Sequence, residues 1–245
     1  GTCTANITNN LSNRNLIING AMQVAQRGTS SVNQGYSTVD RFLTSNAGLD
    51  EGPTREQADV ASGTTPYTLG FRKSFKTTNG NNTSGANAND YYIIRTILEA
   101  QDIANSGWNY TSSSSFITLS FWVKSSVAQN FYGSIRSIDT AYIYPFETGS
   151  LTADTWTKVT KTIPGNSNLT FNNDNGAGLY VSIMPFFGTD YTASTVNLNQ
   201  WAAYSLSTQT PDNTSTWYTT NDATFEITGV QLEVGSVATD FEHRS

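Results

Sequence analysis

Residues 116–124 read Phe-Ile-Thr-Leu-Ser-Phe-Trp-Val-Lys, an alternation of period two. Side chains alternate in this way on an extended strand, where successive residues point to opposite faces. Ile117, Leu119, Phe121 and Val123 share one face; Thr118, Ser120, Trp122 and Lys124 share the other. A strand with one apolar face needs a second layer to bury it. The segments 156–163, 178–185 and 224–234 carry related β-branched and aromatic patterns, the first stopped by Pro164-Gly165. Weaker strand patterns fall at 36–44, 68–76, 91–98 and 131–138, and only 97–105 looks briefly helical. The stretches 45–66 and 77–90 are expected as long loops of the kind that function or a partner keeps ordered. Many short strands between Gly/Asn/Pro-rich turns predict an all-β fold, an antiparallel β-sandwich of the jelly-roll type.

Composition supports that class and closes others. Charged residues are 13% of the chain, about half the usual share of roughly 25%. Ser, Thr and Asn fill the gap, which disfavours a helical bundle. Aromatic residues at 12% with a net charge of −6 disfavour disorder. There is no heptad pattern, no apolar run near 20 residues and a single cysteine, so a coiled coil, a membrane-inserted chain and a disulfide scaffold are excluded. The acidic balance, with pI near 4.7, speaks against nucleic acid and anionic membrane as partners. A neutral carbohydrate is left open.

Chemistry finds little to build on. Cys3 and His243 are the only residues of their types and stand at opposite ends of the chain. That leaves no triad and no zinc ligand set, so no catalytic residue and no metal site are expected. Asp50, Glu51, Glu56 and Asp59 cluster in the first long loop, but sequence alone places no pair at the spacing that glycoside hydrolysis requires. Asp50-Glu51 and Asn172-Asn173-Asp174-Asn175 offer oxygen ligands of the kind a structural calcium takes, against the plainer reading of solvated turns.

Three ordered motifs carry a resemblance. The first is Asn15-Leu16-Ile17-Ile18-Asn19-Gly20-Ala21-Met22, followed by Gln26-Arg27-Gly28 and Tyr36-Ser37-Thr38-Val39-Asp40-Arg41-Phe42. The second is Thr118-Leu119-Ser120-Phe121-Trp122-Val123-Lys124. The third is Ile227-Thr228-Gly229-Val230-Gln231-Leu232-Glu233-Val234-Gly235, with Ala238-Thr239-Asp240-Phe241-Glu242-His243-Arg244. Together they resemble a domain of bacteriophage tail-fibre and other virion-appendage proteins; Phe42 stands where that family commonly has Trp. The resemblance implies a sandwich similar to carbohydrate-binding modules, located on the virion and usually trimeric. It implies a non-enzymatic role: binding host-surface polysaccharide beside other virion proteins. Residues 1–15 then read as a polar linker or the end of an upstream fibre segment, and 16–245 as one jelly-roll domain. Two further readings stay open: a capsid-decorating or fibre-capping protein without ligand, and a glycan-cleaving depolymerase.

Sugar binding needs aromatic rings for pyranose faces and fixed polar groups for hydroxyls. Trp108 and Tyr110, Tyr142 and Tyr144, Trp201 and Tyr204, and Trp217 and Tyr218 all lie beside turn-like sequence. These eight are the expected carbohydrate-binding residues. Trp122 and Trp156 lie within strand patterns and are assigned to the core or to sheet faces.

Overall fold

The computed structural model describes residues 14–242. Cys3, His243 and all but the last two residues of the expected linker lie outside the described residues. The strands are β1 (Ser30–Ser31), β2 (Phe42–Ala47), β3 (Thr54–Asp59), β4 (Lys73–Thr78), β5 (Tyr91–Glu99) and β6 (Phe116–Ser125). They continue with β7 (Asn130–Ser137), β8 (Tyr142–Ser150), β9 (Thr157–Pro164), β10 (Ala177–Phe187), β11 (Ala202–Ala203) and β12 (Thr224–Val234). Three short helices intervene: α1 (Thr65–Thr68), α2 (Ala100–Ala104) and α3 (Thr216–Thr219).

The strands form two six-stranded antiparallel sheets. The first has the order β1-β3-β4-β12-β6-β9 and the second β11-β8-β7-β10-β5-β2. The chain crosses repeatedly between them, as in a jelly roll, and the core fills the space between. Ile117, Leu119, Phe121 and Val123 are fully buried there, on the face their alternation marks out. Phe225, Ile227 and Leu232 from β12 join them, opposite Ile94, Leu98, Ile135, Phe146, Leu179 and Val181 of the second sheet.

Several elements depart from the sequence expectation. The expected loop 45–66 contains β3 and the start of α1. β3 hides because its inward residue is a cation. Arg55 is fully buried, and its guanidinium donates to Thr44 Oγ1 (2.6 Å), the carbonyls of Val32 (2.7 Å) and Pro53 (2.8 Å), and Asn46 Oδ1. These bonds tie β3 of one sheet to β2 of the other. β8 was also unexpected, since Pro145 interrupts its pattern. A proline is tolerated there because β11 pairs with β8 only at Tyr142 and Ile143, so no ladder needs its missing N–H. The expected strand 36–44 begins only at Phe42, after a turn that holds Arg41 at φ +70°. The expected strand 68–76 begins at Lys73, after α1, and the expected helix shrinks to α2.

The opening and closing motifs meet. Past the point where β4 ends, residues 16–20 run beside β12: Leu16 N–H donates to Leu232 O (2.8 Å) and Val230 N–H to Gly20 O (2.9 Å). Asn15 is fully buried, and its Oδ1 accepts from Ile17 N–H (3.0 Å) and Leu232 N–H (3.1 Å). A Cβ on Gly20 would stand 2.0 Å from Val230 O, so this close approach requires glycine. Gln231 and Glu233 point away from the core and are buried by the C-terminal segment. Gln231 Oε1 accepts Glu242 N–H (2.7 Å), Glu233 accepts Thr239 N–H (2.8 Å) and Oγ1–H (2.6 Å), and Glu242 accepts Asn15 N–H (2.8 Å). Phe241 packs edge-on against Phe71, 4.9 Å between centroids, in a cluster with Trp122 and Trp156 on the outer face of the first sheet.

Candidate functional site

The outer face of the second sheet gathers the unusual side chains. Register aligns Ile97, Tyr180, Arg136 and Ile143 in one row across β5, β10, β7 and β8. The adjoining row is Leu43, Arg95, Ser182, Ser134 and Pro145. Each outward residue follows an inward one such as Ile94, Val181 or Ile135, which anchors its strand in the core.

The side chains on these rows interlock. Arg95 Nε donates to Ser182 Oγ (2.8 Å), and its guanidinium lies over the Tyr180 ring, 4.4 Å from the centroid. Arg136, the cross-strand partner of Tyr180, stacks at 3.3 Å over the ring of Tyr204. Tyr204 arrives from the turn after β11, where its N–H bonds Ala141 O (2.7 Å). The result is a ladder of two stacked cation–ring pairs, Arg95 with Tyr180 and Arg136 with Tyr204, joined by the cross-strand pairing of Tyr180 with Arg136. Stacking of this kind contributes about 1 kcal/mol per contact and pre-orients each guanidinium. Tyr36, 40% exposed, stands within electrostatic reach of Arg41, Tyr180 and Arg95; burial raises its pKa and Arg41 opposes that.

Two cavities adjoin the ladder. One of about 210 Å³ is lined by Ile97, Arg41, Leu16, Glu99 and Asp102. The other, about 240 Å³, is lined by Ile143, Pro145, Val196, Gln200 and Ala203. Both open at the ends of the Ile97–Ile143 row, so the ladder spans the ground between them.

The charges on the ladder are not balanced by carboxylates. Among the described residues, the ion pairs are Arg27–Asp40, Lys73–Asp59, Lys76–Glu56 and Lys124–Glu226. Neither Arg95 nor Arg136 takes part in one. Arg136 Nε is buried without a hydrogen-bond partner. Burial lowers the Arg95 pKa from its ordinary value; nearby Arg136 adds to this and Tyr180 opposes it.

Of the eight aromatics expected at a sugar site, Tyr204 stands on this face. Trp108, Tyr144, Trp217 and Tyr218 are a correction: each is at most 3% exposed and belongs to the core. Trp217 meets Tyr92, Phe131 and Phe225 edge-on, and its Nε1–H donates to Thr224 O (3.1 Å). Tyr218 stacks on Phe186 at 4.3 Å. Tyr110 packs on Phe171 at 5.0 Å, Tyr142 packs against the core edge, and Trp201 packs on Tyr144 at 5.5 Å while donating to Pro164 O (2.7 Å). A sandwich is open at its ends, and aromatics beside turns close it. Arg95, Arg136 and Tyr180 escaped the sequence reading. Their signal was a lone arginine inside each of two apolar strand patterns, at positions facing away from the core.

The candidate calcium donors have other duties. Asp50 accepts the N–H groups of Thr83 (2.6 Å) and Ser84 (2.7 Å) and both hydroxyls, and Glu51 accepts Asn81 N–H (2.8 Å). The Thr83 and Ser84 bonds hold the Asp50 carboxyl below the usual aspartate range, the Ser84 backbone contributing most. Asn172 donates twice to Asp139, and Asp174 caps Gly176 N–H (2.9 Å). Glu56 and Asp59 of the acidic cluster face Lys76 and Lys73, not each other. Among the described residues, no three His, Cys, Asp or Glu side chains gather as a metal site.

No family model and no curated protein sequence matches the chain. Solved structures similar in shape include the enzymatically active domain of bacteriophage CBA120 tailspike protein 4, at 10% identity and TM-score 0.45. That match covers 91% of this chain and 22% of the tailspike chain, so the protein spans about a fifth of its length. The N-terminal cellulose-binding domain of Cellulomonas fimi β-1,4-glucanase C matches at 8% identity and TM-score 0.39, over 88% of this chain and 99% of that one. The baseplate tripod of bacteriophage Tuc2009 matches at 14% identity and TM-score 0.35, over 94% and 58%. Similarity at this level assigns nothing to individual residues.

Proposed function

We propose that the protein is a non-enzymatic, glycan-binding domain of a phage appendage that attaches the virion to host-surface polysaccharide. The observation that carries this reading is the ladder of Arg95, Tyr180, Arg136 and Tyr204 on the outer face of the second sheet. It combines flat apolar rings with fixed donors beside two cavities, which is what a sugar chain requires of a site. The three motifs that resemble virion-appendage domains supply the setting, and with it a trimer whose copies add avidity to a weak single site.

The test is binding of the purified domain to a glycan array and to isolated host envelope. Tyr180→Ala and Tyr204→Ala each remove an outward ring, so both variants are expected to fold and to lose about tenfold or more in affinity. Sedimentation at the same concentrations reads the oligomer. Saturable binding that both variants retain in full would move the site elsewhere. Absence of binding by the trimeric wild type would favour a structural role in the particle.

A further inference from the structure

We infer that the sugar recognised on the outer face of the second sheet is an acidic one, a polysaccharide bearing carboxylates such as uronic acids. The inference rests on the proposed glycan role and adds the chemical class of the ligand. Its starting point is an imbalance. The chain carries a net charge of −6 with 19 acidic residues against 13 Lys and Arg. Among the described residues only Arg27 of the seven arginines is ion-paired, to Asp40. What sets Arg95 and Arg136 apart is that they sit two strands apart on one sheet face, with no carboxylate in the rows between them.

The acids around the ladder are few and placed at its margins. Glu147 lies one row further on, across from Tyr132, and accepts a hydrogen bond from Asn130 (2.8 Å). Glu99 and Asp102 line the cavity beyond Ile97, together with Arg41. Glu99 is engaged by Gln101 (2.7 Å). The two central rows hold only Ile97, Tyr180, Arg136, Ile143, Leu43, Arg95, Ser182, Ser134 and Pro145. Two like charges partly withdrawn from water over tyrosine rings are costly to leave uncompensated. A ligand carboxylate relieves that cost through charge-assisted hydrogen bonds to the terminal nitrogens of the two guanidinium groups. The guanidinium fork matches a planar carboxylate in two parallel hydrogen bonds, and the half-buried Tyr180 and Tyr204 beside it add ring edges and hydroxyls for the sugar that carries it. A bare anion would use the charges and leave the rings idle.

The experiment compares matched polymers. Polygalacturonate, alginate and hyaluronan are each paired with a carboxyl-reduced counterpart, beside neutral glucans and galactans, with inorganic phosphate as a competitor. At least one acidic polymer is expected to bind about tenfold more tightly than its reduced form at low salt. That advantage narrows as salt rises. Arg95→Gln and Arg136→Gln abolish the difference between the paired polymers while each variant still unfolds in one cooperative transition, and phosphate competes only weakly. Equal binding of acidic and reduced forms, or binding of neutral polymers alone, overturns the acidic ligand and leaves the glycan role intact. Displacement by phosphate at the concentration that displaces free galacturonate shows a general anion site and also overturns it. Binding to no polymer at all overturns the glycan role itself.

Discussion

At the scale of single residues, the same amino-acid type does different work according to which way its backbone points it. Trp217 and Tyr204 both follow turn-like sequence, yet Trp217 is fully buried and Tyr204 stacks on an outward arginine. The difference lies in the element that carries each: Trp217 sits on α3, which packs on β10, whereas Tyr204 follows β11 at the edge of the second sheet. Asp50 shows the converse, a local arrangement with a readable consequence. Its carboxylate accepts four hydrogen bonds from Thr83 and Ser84, and its pKa is held below the ordinary value. A depressed folded pKa means that this contribution is full above the unfolded pKa and is lost as pH falls through the folded one. The Thr83 and Ser84 amides are therefore expected to stay protected until the pH drops below the ordinary aspartate range, and then to exchange faster. Asp50→Asn should show weakened protection that no longer varies over that range, and amide exchange by NMR reads both.

At the scale of elements, β6, β9, β10 and β12 were legible because alternation and β-branched content agree in them. β3 and β8 were not, since the former turns an arginine inward and the latter carries a proline on a sparsely paired flank. Arg55 makes the reason for β3 measurable. Its guanidinium serves acceptors from both sheets and lies 5.7 Å from the Tyr92 ring centroid. Arg55→Leu keeps an apolar stem but leaves Thr44 Oγ1 and Pro53 O without their donor in the interior, and Val32 O and Asn46 Oδ1 without it at the margin. The expected loss is about 3 kcal/mol in urea unfolding, with β2 and β3 losing amide protection first. A change within about 0.5 kcal/mol, the range of ordinary surface substitutions, would mean that water replaces the guanidinium without cost. The ladder was illegible for a related reason: its members lie on three strands and a turn, brought together only by strand order.

At the scale of the whole molecule, the last strand is central. β12 pairs with β4 on one side and β6 on the other, and residues 16–20 complete its flank. The first sheet therefore cannot close until β12 is in place, and its pairings are long-range ones, which fold slowly. A chain ending at Ala223 is expected to show no cooperative unfolding transition by circular dichroism; a sharp transition would mean that the second sheet folds alone.

The joining of Asn15 to Glu242 has a mechanical consequence as well. Asn15 and Glu242 are held together at one spot beside β12, next to the Phe71–Phe241 contact on the outer face of the first sheet. Tension applied through either end is received by that knot of hydrogen bonds and returns along the neighbouring strand. Leu16, the next residue in from that knot, also lines the cavity at the Ile97 end of the ladder, so a pull on it is felt at the margin of the tyrosine–arginine face.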